Sequence, residues 1–90
     1  MEIKTGTIIK SMSGHDKGSF YIIVGVQDNK PLIADGRRRK LEKPKVKNPK
    51  HISKTNTSIE TIDLTNKKIR ALLHSFNFPQ EKLNEAKGAD

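Results

Sequence analysis

The residues with the clearest chemistry are cationic and crowded together. Arg37, Arg38, Arg39, Lys40, Lys43, Lys45, Lys47, Lys50 and Lys54 fall within eighteen positions, opposed by the single anion Glu42. Nine cations less one anion leave +8, which is the formal net charge of the whole 90-residue chain. All other positions together sum to zero. Like charge held this close repels itself, and a polyanion relieves that repulsion. The arginine fork can grip two phosphate oxygens at once, whereas lysine acts as a mobile point charge. Lys43, Lys45 and Lys47 are spaced by two, so an extended backbone puts them on one side about 6–7 Å apart, near the phosphate spacing of a nucleic-acid strand. The plainer alternative is a solvated loop that serves solubility, but solubility does not need every excess charge in one segment.

A second candidate lies in the stretch from Gly6 to Gly25, where Gly14 and Gly18 bracket a polar tip. Backbone N–H groups of such a turn, with Lys17, can hold a phosphate, and His15 can stack or hydrogen-bond there. The alternative is a plain hairpin whose glycines only satisfy backbone geometry. GHDKGS lacks the spacing of a nucleotide phosphate loop, and no α/β context follows it. Lys10 before the turn, and His51 within the basic segment, complete the candidate RNA-binding set. His15, His51 and His74 are scattered, with no cysteine and no paired spacing, so metal binding and acid–base catalysis are not expected. No cofactor is expected either.

The elements that must carry these side chains change character along the chain. Residues 1 to 36 read as β. Ile3, Thr5, Thr7 and Ile9 alternate with Lys4, Gly6, Ile8 and Lys10, as in a half-buried strand. In FYIIVGV, Phe20, Ile22, Val24 and Val26 share one face, while Tyr21, Ile23 and Gly25 share the other. Asp28-Asn29 is a hairpin turn, Leu32 to Ala34 a third strand, and Asp35-Gly36 another turn. Three short strands at roughly ten-residue spacing predict a small barrel or a twisted meander. Beyond them, short strands are expected near 39–41 and 51–54, joined by a solvated loop over 43–50. Residues 59–64 read as a brief strand or an extended approach. Ile69, Leu72, Leu73 and Phe76 then form one helical stripe, capped by Thr65 or Asn66 and ended at Asn77. A shorter helix opening at Pro79 and carrying Leu83 is expected after it. The first helix is expected to cover the open side of the barrel. The organisation expected is therefore a barrel with its basic loop over 1–58 and a helical extension over 59–90, fraying at its end.

The alternating strand before Ser11, then Gly14, Asp16, Lys17 and Gly18, then the apolar strand to Val24 resemble the KOW motif. That motif belongs to SH3-like barrels of large-subunit ribosomal proteins and transcription elongation factors. The segment ADGRRRKLEKPKVKNPKHI, from Ala34 to Ile52, is similar to a narrower group, the short bacterial KOW-domain RNA-binding proteins. Those are related to an archaeal and eukaryotic large-subunit ribosomal protein family. The resemblance covers residues 3 to 54. It implies an SH3-like barrel, binding to ribosomal RNA and a place in translation; residues 59 to 90 are read from physics alone.

Size and composition narrow the function further. One small domain, 32% apolar and 31% charged, leaves little room for a deep, water-excluded active site, so a non-catalytic role is expected. No apolar run reaches the ~20 residues of a membrane span, and the N-terminal stretch has no signal-like apolar core. A cytoplasmic monomer is the simplest expectation, one that binds RNA, has ribosomal proteins as further candidate partners and does not engage a membrane. Too few aromatics remain for a single-strand stacking platform, which favours folded RNA recognised by shape and backbone. No helix is basic enough along one face to read a DNA major groove. The rival expectation is a protein-interaction module of the transcription or translation machinery, because phosphate and carboxylate look alike to a basic segment.

Overall fold

The computed structural model describes residues 3–78. Its elements are β1 (Thr7–Ser11), β2 (Phe20–Gln27), β3 (Lys30–Ala34), β4 (Lys45–Val46), a 3-10 turn (Pro49–His51), β5 (Ile52–Ser58) and α1 (Asn66–Asn77). The strands form one antiparallel sheet in the order β4-β3-β2-β1-β5. The molecule is thus mainly β, a small barrel-like sheet followed by a helix.

Adjacent isoleucines explain how so short a chain builds a core. Ile8-Ile9 in β1, Ile22-Ile23 in β2 and Ile33-Ala34 in β3 each send one side chain to either face of the sheet. Ile9, Tyr21, Ile23, Ile33 and Ile52 meet in one cluster inside the curled sheet. Ile8, Ile22 and Ala34 meet Ile69 and Leu73 of α1 in a second cluster on the outer face. The first strand is therefore buried on both faces, not half-buried as its alternation suggested, because barrel interior and helix each claim one side. It also begins at Thr7, since Thr5-Gly6 is a turn. Register shifts in β1–β5 pairing between Thr7 and Ile9, and in β2–β3 pairing between Ile23 and Gly25, help the sheet bend. At the first of these the Thr55 hydroxyl donates to the Ile8 carbonyl at 2.7 Å.

The turns follow their residues. Asp28 and Asn29 both adopt positive φ, 52° and 63°, the two-residue hairpin geometry that matches strand twist. Three expectations for the basic segment need correction. Residues 39–41 form no strand, because the chain folds back on itself at 35–39. The span 43–50 is not a free loop: β4 pairs with β3, and the Lys47 amide donates to the Pro31 carbonyl at 3.0 Å. The last strand runs on to Ser58.

Helix α1 begins where expected, its first turn capped by a hydroxyl. The Thr65 hydroxyl accepts from the Lys68 amide at 3.1 Å. At the other end the Phe78 amide donates to the His74 carbonyl at 2.8 Å. Ile69 and Leu73 are buried and Phe76 packs on Phe20 at 5.3 Å between ring centroids, so the helix covers the sheet. Leu72 departs from the stripe and is exposed. Asn77 adds a tie, its side-chain oxygen accepting from the Phe20 amide at 2.8 Å. The expected second helix from Pro79 lies outside the described residues. Among the described residues no helix is long and apolar enough to cross a membrane.

Candidate nucleic-acid interface

The basic segment opens with a loop whose backbone is locked and whose side chains are not. Asp35 accepts the Arg37 and Arg39 amides on one carboxylate oxygen, each at 2.9 Å. The Asp35 and Gly36 amides both donate to the Arg39 carbonyl, at 2.9 and 3.1 Å. Folding the chain this tightly turns Arg37, Arg38, Arg39 and Lys40 outward, and all four are exposed. Among the described residues none of the three arginines has an ion-pair partner.

Helix α1 braces this loop from behind. An Arg70 guanidinium nitrogen donates to the Gly36 carbonyl at 2.7 Å, and the Asn66 side-chain oxygen accepts from the Leu41 amide at 2.8 Å. The Asn66 amide group reaches both oxygens of Glu42 at 3.0 Å. That bond holds the Glu42 carboxyl below its ordinary range. The single anion of the segment is thus tied to the helix. Gly36, in the left-handed region, lies so close to Asn66 that a Cβ there would collide with its carbonyl oxygen.

Of the predicted phosphate contacts, Lys47 is used inside the protein and the half-buried Lys45 is drawn to the same carboxylate. Lys45 and Lys47 do share a side, as their spacing required, but it is the side that faces Asp16. The Lys47 ammonium lies 3.1 Å from one oxygen of Asp16 and 3.0 Å from the Ser13 carbonyl, and only 7% of the residue is exposed. Lys45 stands 3.5 Å from the other oxygen. Lys47 is therefore a structural ion, not an exposed phosphate ligand, because the β1–β2 turn delivers a carboxylate where β4 delivers its lysines. Burial pushes the Asp16 carboxyl upward. The Ser11 hydroxyl donates to it at 2.8 Å. That bond, the one from Lys47, and the charges of Lys45 and Lys47 outweigh burial and hold the pKa at about 2.

The same knot orients the turn. Gly18 takes φ +91° and its amide donates to the Ser11 carbonyl at 2.8 Å. With Asp16 turned inward, His15 and Lys17 stay exposed on the outer side. There they meet Arg37 and Arg38 from the second loop and Arg70 and His74 from α1 around one open groove of about 440 Å³. Tyr21, Leu73, Phe78, Asp16 and Asp35 also line it. Burial, and then the charges of Asp16 and Asp35, push the Tyr21 phenol up to about 12, so it stays protonated.

No protein-family model matches this chain, and no curated protein matches it in sequence. The chemistry of the site rests on its own geometry.

Other predicted cations do not line this groove. Arg39, Lys40 and Lys43 are exposed on the loop beside it. Lys10 places its ammonium 5.8 Å from the Phe20 ring centroid, and Lys50 and His51 sit on the 3-10 turn. Lys54, on β5, lines a separate hollow with Lys4 and Thr7. Arg70 and His74, which the cationic segment alone did not point to, belong to the groove. Their signal was present in the spacing: Asn66, Arg70 and His74 recur every four residues, a polar stripe beside the apolar one.

Proposed function

We propose that this protein binds folded RNA without catalysing a reaction, and that ribosomal RNA is its target. The exposed 37–43 loop and the groove beside it make the contact. One observation carries this: a loop of three consecutive arginines whose backbone is locked by Asp35 while its guanidinium groups are left without carboxylate partners among the described residues. Ordering that loop beforehand removes an entropic cost of binding. Affinity then comes chiefly from phosphate contacts and counterion release. The resemblance of residues 3 to 54 to KOW proteins supports the same reading and points to a cytoplasmic, ribosome-associated role as a monomer when free.

The test is to crosslink the protein in cells, sequence the bound RNA, and follow cosedimentation with large ribosomal subunits at low and high salt. Ribosomal RNA crosslinks and a salt-sensitive association are expected. Replacing Arg37, Arg38 and Arg39 together by Glu should weaken binding by orders of magnitude and leave the fold intact, because these side chains are exposed. Partners that survive ribonuclease digestion, or full RNA affinity in the triple variant, would overturn the proposal in favour of a protein-binding role.

A further inference from the structure

The groove between the β1–β2 turn, the arginine loop and α1 has a composition that phosphate contacts alone do not need. Its rim is cationic, with Lys17, Arg37 and Arg38. One wall is aromatic and exposed: Phe78 is 43% exposed, and its ring lies 5.1 Å from that of His74. An exposed aromatic face beside cations is what a base stacks on while its phosphate is held alongside. A volume of about 440 Å³ falls within the range of small-molecule sites. Asp16 and Asp35 also line it, but Asp16 is engaged by Ser11, Lys45 and Lys47, and Asp35 by the Arg37 and Arg39 amides.

We propose that this groove takes a single unstacked nucleotide of the bound RNA. Its phosphate sits at Lys17, Arg37 and Arg38, and its base lies against Phe78 and His74. The inference rests on the RNA-binding reading and refines it. One exposed aromatic pair suffices for one base but not for a strand, which fits a protein that recognises folded RNA. A bulged or flipped residue in such RNA offers a free π-face at little unstacking cost.

A stem-loop RNA carrying one bulged adenosine, and the same RNA with an abasic site at the bulge, separate the two contributions. The full chain should bind the adenosine form about ten- to a hundredfold more tightly, the range of one base–aromatic stack. Phe78→Ala should erase that preference while leaving affinity for the abasic RNA unchanged, and Phe78→Trp should keep it. Phe78→Leu, which retains apolar bulk without a π-face, should lose most of it. Circular dichroism on each variant checks that the helix is kept; the capping bond at this position uses the backbone amide, so all should fold. If the wild type binds both RNAs equally, or Phe78→Ala weakens both by the same factor, the base site is wrong, even with salt-sensitive binding intact. Unchanged affinity for both RNAs on charge reversal of the three loop arginines would instead sink the RNA-binding reading itself.

Discussion

Asp16 shows how one carboxylate can decide the role of two lysines. It holds Lys47 inward, draws the half-buried Lys45 toward it, and so keeps the β1–β2 turn beside β4. Its carboxyl titrates at about 2 in the folded protein against 3.8 ordinarily. Folding therefore favours the ionised form, and the stabilisation is complete above about pH 5 and lost as pH falls toward 2. A shift of that size corresponds to about 2 kcal/mol. Urea titrations between neutral pH and the acid limit should show the wild type losing that amount. Asp16→Asn should start lower by a similar amount at neutral pH and change little over the acid range. Equal acid slopes in the two proteins would mean that another group carries the effect.

At the scale of elements, α1 does more than cover the sheet. It buries Ile69 and Leu73 against β1, β2 and β3, and it braces the arginine loop through Arg70 and Asn66. Leu73→Ala should cost about 2–5 kcal/mol in thermal or chemical unfolding, the usual range for a fully buried leucine. Gly36→Ala combines an unfavourable φ with a clash against the Asn66 carbonyl, and should cost about 2–4 kcal/mol. Gly18→Val differs in kind. No atom lies near the Cβ it would add. Backbone strain alone then sets a cost of about 1–2 kcal/mol. Differential scanning calorimetry of the two glycine variants should rank Gly36 above Gly18. The reverse order would mean that the β1–β2 turn, and not the helix contact, is the tighter constraint.

Across the whole molecule the cations divide: Lys17, Arg37, Arg38 and Arg70 line one groove, and Lys4 and Lys54 line a separate hollow. With Lys45 and Lys47 bound to Asp16, the outward cations of the basic segment are fewer than its composition counts. Six phosphate contacts, drawn from Lys17, Arg37, Arg38, Arg39, Lys40 and Lys43, would give a slope of log affinity against log salt of roughly −4 to −5. Removing one contact, as in Arg38→Ala, should flatten it by about 1. Lys47→Met should leave the slope unchanged and lower stability, since that ammonium faces Asp16. Fluorescence anisotropy on a ribosomal RNA fragment over a salt series measures both slopes, and urea unfolding measures the stability. A flatter slope in Lys47→Met would put its charge on the RNA after all.

Local chemistry was legible along the chain. Asp28-Asn29 made a hairpin because both residues tolerate positive φ, the stripe at Ile69, Leu73 and Phe76 made a helix, and the cationic segment announced itself by charge alone. Each depends on neighbours a few positions away. The paired isoleucines also carried the two-sided burial of the strands, although alternation obscured it. Which cations face outward was a tertiary decision. Lys47 and Asp16 lie 31 positions apart, and Arg70 and Gly36 lie 34 apart. Periodicity put Lys45 and Lys47 on one side without saying what waits there, because a side chain's partner is chosen by chain closure across the sheet. The groove is of the same kind: two loops and a helix contribute to it, and only their packing brings arginine, histidine and phenylalanine into one place.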